Sequence, residues 1–234
     1  MEVPSKLDHL KMIASITDSS RRDSAEKLDP HKDELRILGI ALSTMYQVAT
    51  CHRKCFGGPH FLERLTAQSY NLACSAYILM CRGFYDESLN LIRSMGETGN
   101  LIAMSVVDKP AYQRWLSADA STRIKEFAPA NVRKIIEKKE QPLIFARKHW
   151  YQRFCEDYTH VHPDTTLHHS EETGRSVVGG TVDEERMKEV IGELTGVSSH
   201  IAMIVSRFAD LDDMLDELSS EVDRVSEPND AGSV

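Results

Sequence analysis

Between Met187 and Val225, apolar residues recur in alternating steps of three and four without a failure. They are Met187, Val190, Leu194, Val197, Ile201, Ile204, Phe208, Leu211, Leu215, Leu218, Val222 and Val225. A period of 3.5 residues is the signature of an α-helix with a coiled-coil seam and excludes a strand, whose side chains alternate every two residues. Read as one helix, the segment is about 58 Å long, roughly twice the diameter of a small domain. One end is therefore expected to project or to meet another subunit. Ile191 and Val205 widen the apolar face of the first half, as packing in a bundle requires. The second half keeps the narrower seam and carries Asp210, Asp212, Asp213, Asp216, Glu217, Glu221 and Asp223 with no base between them. The first half reads as core, and the second as an oligomer contact or a surface for a protein partner. The alternative is a long helix wrapped by the chain's own N-terminal helices. Thr181 with Glu184 three residues on predicts the helix start through a capping box.

The rest of the chain is also helical in pattern, so the fold class is an all-α helical bundle. Residues 1–28 read as a short helix through Leu7, Leu10, Ile13 and Ile16 followed by a polar linker from Asp18 to Leu28. Asp29-Pro30 opens a helix predicted to run to about Phe56, before Gly57-Gly58-Pro59. Further helices are predicted over about His60–Arg82 and Tyr85–Val107. In the second of these, Gly96 and Gly99 allow close backbone approach. Pro110 and Pro129 open shorter pieces, and a helix spans about Pro142–Tyr158. Val161 to Gly180 is the one long irregular stretch. The expected division is thus 1–28, a bundle over 29–208, and an acidic helix end with a tail over 209–234.

No stretch supplies the ~20 apolar residues of a membrane-spanning helix. The longest run without charge, Leu65 to Cys81, contains Gln68, Asn71 and Ser75. The residues after Met1 lack the basic start and apolar run of a secretory signal, so a cytoplasmic location is expected. Five cysteines, an odd number placed within helical patterns, are expected as reduced thiols. The net charge of −8 conceals an uneven distribution: nine cations against three anions lie between Arg123 and Arg153, a local excess of +6. Arg133, Lys134, Lys138, Lys139, Arg147 and Lys148 in this block are candidates for attracting RNA, while the acidic C-terminal helix would repel it.

Arg153 and His160 follow the basic block. Seven residues is two α-helical turns, which would place both side chains on one face. An imidazole can move a proton near neutral pH while a guanidinium stabilises charge building on a phosphate. Together they suit attack of an RNA 2′-hydroxyl on the adjacent phosphorus. His162 competes for the role, since Pro163 disfavours helical geometry at the residue before it. Arg93 and Glu97, four apart on one helix, can pair and position this site, as can Tyr158.

The combination of Arg153, six residues and His160, with Leu91-Ile92-Arg93-Ser94-Met95-Gly96-Glu97 and Tyr158-Thr159-His160-Val161-His162-Pro163, resembles the HEPN superfamily (higher eukaryotes and prokaryotes nucleotide-binding). The likeness covers roughly residues 30 to 165 and points to a bacterial branch of it. It implies a helical bundle that acts as a dimer, with active sites where two copies of the motif meet. Many members are metal-independent ribonucleases of toxin–antitoxin and antiphage systems, so the resemblance implies catalysis by Arg153 and His160 without a cofactor. A second reading is an inactive bundle that serves as an interaction module through its C-terminal helix. A third is a metal-dependent hydrolase using His160, His162, Asp164, His168 and His169. Their spacing lacks the regularity of a metal motif, and no metal ligand is assigned. Cys51, His52 and Cys55 are read as part of a helix, the cysteines as core. Phosphate-cradling glycine motifs and a nucleophile elbow are missing from the sequence, which sets aside P-loop hydrolysis and serine-hydrolase chemistry.

Overall fold

The computed structural model describes residues 6–55, 57–139, 146–160 and 180–226, together with two short antiparallel strands, β1 (His169–Ser170) and β2 (Arg175–Ser176). The fold is an all-α bundle. Its centre is formed by α2 (Lys32–Ala49), α3 (Phe61–Met80), α4 (Tyr85–Val107) and α9 (Glu184–Phe208), which pack on one another. Their facing residues, among them Ala41, Met45, Ala73, Met80, Leu89, Ile92, Met95, Leu194, Val197 and Ile201, are buried to 0% exposure. Gly99 of α4 faces the Ile201 side chain, where a Cβ would stand 3.2 Å away, so the glycine sets how closely α4 and α9 approach. α5 (Lys109–Ser117), α6 (Ala120–Glu126), α7 (Pro129–Glu137) and α8 (Lys148–Phe154) follow, and α4 contacts α5, α7 and α8. No described helix is long and apolar enough to cross a membrane.

At the N-terminus, the expected short helix and linker are one helix, α1 (Lys6–Glu26). The polar segment continues it and is tied to the bundle through Ser20, whose buried hydroxyl donates to the Ile16 and Gly180 carbonyls at 3.0 Å each. α2 in turn ends at Ala49, seven residues short of the predicted Phe56. His52 N–H bonds Gln47 O at 3.0 Å and Cys51 N–H bonds Val48 O at 3.2 Å, with Cys51 left-handed at φ 52°. That double bond across a left-handed residue closes a helix. Cys51 and Cys55 consequently sit in a loop outside the helix that was expected to bury them.

The long C-terminal helix is divided. α9 ends at Phe208 by the same device: Asp210 is left-handed at φ 51°, and Leu211 N–H reaches back to Ser206 O at 3.0 Å. α10 (Asp212–Ser226) then packs on α2 and α9. Arg53 pairs with Asp213 at 2.7 Å at one end of α2, and Arg36 pairs with Glu221 and Arg224 with Asp33 at the other. α10 therefore runs antiparallel to α2. The face expected to remain open as a seam is filled from within the chain: Leu211, Met214 and Leu218 are buried, whereas the seam residues Phe208 and Val225 are 40% and 36% exposed. The helix start also moves. Asp183, whose carboxylate accepts from Arg186 N–H at 3.0 Å, caps α9 in place of Thr181.

Two outcomes follow from this packing. Leu218→Ala should destabilise the protein by about 2–5 kcal/mol, read by urea denaturation. Because α10 is held by its own chain, the loss should be independent of protein concentration. Asp108 caps α5 through Ala111 N–H at 2.9 Å and pairs with Lys139 at 2.8 Å. The Lys139 hydrogen bond and then the backbone amide hold its carboxyl below the usual carboxylate range. Its contribution is present above the unfolded pKa and lost as pH falls through the lower folded value. Asp108→Ala should therefore cost about 1 kcal/mol near neutrality, and the difference from wild type should shrink below about pH 4.

Candidate functional site

Helix α8 has seven residues, too few to be stable alone, and its side chains fix its place. Trp150 stacks on Phe154 at 4.1 Å between ring centroids, and Phe154 meets Tyr158 edge-on at 5.4 Å. Phe154 is completely buried. This aromatic column lies over Gly96 of α4, where a Cβ would stand 2.7 Å from the Trp150 ring. Two carboxylates one turn apart on α9 bind it: Trp150 Nε1–H donates to Glu193 at 2.7 Å, and the Tyr158 hydroxyl donates to Glu189 at 2.6 Å.

Beyond Phe154 the backbone widens into a π turn, Cys155–Thr159, closed by His160 N–H to Cys155 O at 2.8 Å. Asn90 of α4 clips it. The Asn90 amide donates to the Tyr158 carbonyl, and the Thr159 hydroxyl lies 2.7 Å from Asn90 Oδ1 and 3.1 Å from Phe154 O. Such turns insert a residue into the helical register and recur at functional sites. They also undo the expected relation of Arg153 to His160. The two are not separated by two α-helical turns, and His160 leaves the helix with extended backbone, φ −95° and ψ 130°. His160 is exposed; His162 lies outside the described residues.

Arg153 pairs with Glu193, and its guanidinium lies 5.1 Å from the Phe154 ring centroid. Burial opposes its charge, but the Glu193 hydrogen bond and charge outweigh that and raise its pKa. Its side chain remains 44% exposed. Arg93 and Glu97 pair at 2.6 Å beneath α8, as the four-residue spacing predicts. Arg93 also donates to Tyr151 OH at 3.0 Å and approaches Cys155 Sγ at 3.8 Å. Burial raises the pKa of both phenols, helped at Tyr151 by the Glu97 charge and at Tyr158 by the bond to Glu189. Both stay protonated donors at neutral pH. Arg186 of α9 pairs with the buried Asp86 of α4 and lies over the Tyr158 ring at 5.8 Å.

The six basic candidates divide. Arg133 is buried, 6.0 Å from the Tyr151 ring centroid and 3.8 Å from Glu137, and Lys139 is held by Asp108. Lys134, Lys138, Arg147 and Lys148 are exposed. Asp86, Asn90, Tyr151, Glu189 and Glu193 build the site without having been singled out in the sequence. The spacing of Glu189 and Glu193 on the outer edge of α9 was their one available signal. Because Trp150, Tyr158 and Arg153 occupy these two carboxylates, the pair is not an open cation site. The histidines 162 and 168 of the expected metal loop lie outside the described residues.

No protein-family model matches the chain, and comparisons with curated proteins and with solved structures also give no match. Side-chain geometry alone therefore defines this site. Gly96→Ala tests it: the added methyl must displace an indole held on both sides. We expect a loss of about 1–3 kcal/mol and faster amide exchange over residues 148–160, with exchange in α3 unchanged.

Proposed function

We propose that this chain is an HEPN-like RNA-directed effector, a metal-independent endoribonuclease acting as a dimer, in which Arg153 and either His160 or His162 carry catalysis. The observation that supports it is the π turn. It holds an anchored arginine and an exposed histidine at its two ends, and the exposed cations Arg147 and Lys148 stand at the other end of α8. The resemblance of residues 91–97 and 153–163 to HEPN motifs supports the same reading. RNA is drawn by Lys134, Lys138, Arg147 and Lys148. The histidine removes the 2′-hydroxyl proton, the oxygen attacks the adjacent phosphorus, and the bond to the 5′-oxygen breaks as that oxygen takes a proton from water, giving a 2′,3′-cyclic phosphate. Arg153 exchanges Glu193 for the phosphate and stabilises its added charge. Arg93, Glu97 and Tyr158 position the turn.

The Arg153–Glu193 pair also favours a second reading, an inactive bundle that serves as an interaction module, because an arginine neutralised by a carboxylate binds phosphate poorly. Cleavage of RNA in EDTA separates the two. The nuclease reading expects a cyclic phosphate product and a fall in rate of about 100-fold or more in Arg153→Ala and in one of His160→Ala or His162→Ala. It also expects tighter RNA binding by Glu193→Gln, which frees the guanidinium. Intact RNA, or both histidine variants cutting as wild type, ends the catalytic reading. Unchanged RNA binding by Glu193→Gln then leaves the interaction module.

A further inference from the structure

We propose that the loop between α2 and α3 is a structural zinc site, with Cys51, Cys55, His60 and Glu63 as its ligands. The ligand atoms of Cys51, Cys55 and His60 all lie within 4.8 Å of one another. Cys51 Sγ stands 3.6 Å from His60 Nδ1 and 3.9 Å from Glu63 Oε1, and His60 Nδ1 stands 3.2 Å from Glu63 Oε1. Zinc binds sulfur at about 2.3 Å and nitrogen or oxygen at about 2.0–2.2 Å, so a tetrahedral site has S···N and S···O edges of about 3.6 Å and an N···O edge of about 3.4 Å. The three separations fall within a few tenths of an ångström of those edges. Glu63 stands outside the mutually close group of Cys51, Cys55 and His60, so an ion held by all four ligands draws its carboxylate and the Cys55 thiol toward each other.

The environment points to a cation independently of those distances. Glu63 is a carboxylate on a buried residue, 8% exposed, and its one ion-pair partner among the described residues is His60. No lysine or arginine there neutralises it, and a buried carboxylate needs a compensating charge. Two thiols, an imidazole and a carboxylate make up the donor set. Soft thiolates with imidazole select zinc over magnesium or calcium.

Backbone geometry brings the four together. Cys51 and His60 are left-handed, at φ 52° and 50°, where residues other than glycine are uncommon. Gly57 and Gly58, also at positive φ, turn the chain between them. On its outer side the loop is tied to the α9–α10 turn by Arg53–Asp213 at 2.7 Å and by Lys54–Asp210. A metal here fixes the loop that holds this turn. The site lies apart from Arg153: Glu193, which binds that arginine, is about 22 Å along α9 from Phe208, the end of the helix at the turn that carries Asp210. The ion is therefore no participant in the proposed RNA chemistry. Four protein ligands leave no open position for a substrate, which makes the site structural in kind.

The test uses full-length protein without a polyhistidine tag, purified under reducing conditions and analysed for metal after gel filtration. We expect close to one zinc per chain. Cobalt(II) added to metal-stripped protein should give thiolate-to-cobalt absorption in the near ultraviolet together with the visible bands of a tetrahedral ion. Cys55 is exposed, so Cys55→Ser should keep the helical circular dichroism of wild type while weakening zinc binding by about 100-fold or more. His60→Ala should do the same, His60→Cys should restore binding, and Cys74→Ser should not alter it. The proposal is overturned by protein that neither carries zinc nor takes it up when it is added. It is equally overturned by a cobalt spectrum without thiolate bands, or by a folded Cys55→Ser variant that binds zinc as tightly as wild type.

Discussion

Burial of the broad apolar face of α9 is the constraint to which the other elements answer. Met187, Val190, Ile191, Leu194, Val197, Ile201, Ala202, Ile204 and Val205 are all at least 95% buried, which takes more than one neighbour. α2, α3 and α4 cover most of this face, and α10 returns along α2 and α9 to complete the cover. At about 25 cal/mol per Å² of apolar surface removed from water, this burial outweighs the few favourable ion pairs on the surface. The edge of α9 left outside the core is free to carry Glu189 and Glu193, and these fix α8.

The aromatic column of α8 illustrates how a short element acquires a defined place. Seven residues of helix contribute little by themselves, but an indole in the space above Gly96 and two hydroxyl or N–H donors on fixed carboxylates leave few alternatives. The π turn is a consequence of the same clamp. Phe154 must point into the core and Thr159 must meet Asn90, and one extra residue in the turn accommodates both. Cations of the basic block are divided on the same grounds. Those that fall against the aromatic or acidic side chains of the bundle, Arg133 and Lys139, become part of its structure, while four others face solvent.

Much of the bundle was legible in the sequence because helix periodicity is a local property. The bounds of α4, Tyr85–Val107, coincide with the predicted ones, and its glycines make the close approaches expected of them. Of the helix expected over about Pro142–Tyr158, the described residues form α8 from Lys148 to Phe154 and then the π turn, with Ala146 and Arg147 outside the helix. Helix ends were harder to read. Cys51 and Asp210 are left-handed residues that close α2 and α9, and neither is the glycine that usually marks such a position. The heptad continues through Ala209-Asp210-Leu211 because Leu211 is apolar in either case: as a seam residue of a straight helix, or as the buried residue just past a helix end. Within the site, Arg93 and Glu97 were legible as a pair four residues apart. The Arg153–Glu193 and Tyr158–Glu189 pairings join residues more than 30 positions apart, and no periodicity relates them.

The sequence by itself determined that this chain is helical, which faces of its helices are apolar, and where its charge of each sign is concentrated. These follow from side-chain spacing and backbone preference within a few turns. Only the tertiary structure decided that the heptad segment folds back on α2 instead of projecting, since the choice depends on whether another part of the same chain offers a complementary apolar surface. It also decided that Arg153 faces a carboxylate, that His160 leaves its helix through a π turn, and that Cys51, Cys55 and His60 converge, with Glu63 against Cys51 and His60. Each of these depends on distances between separate elements, fixed by the closing of the core around α9.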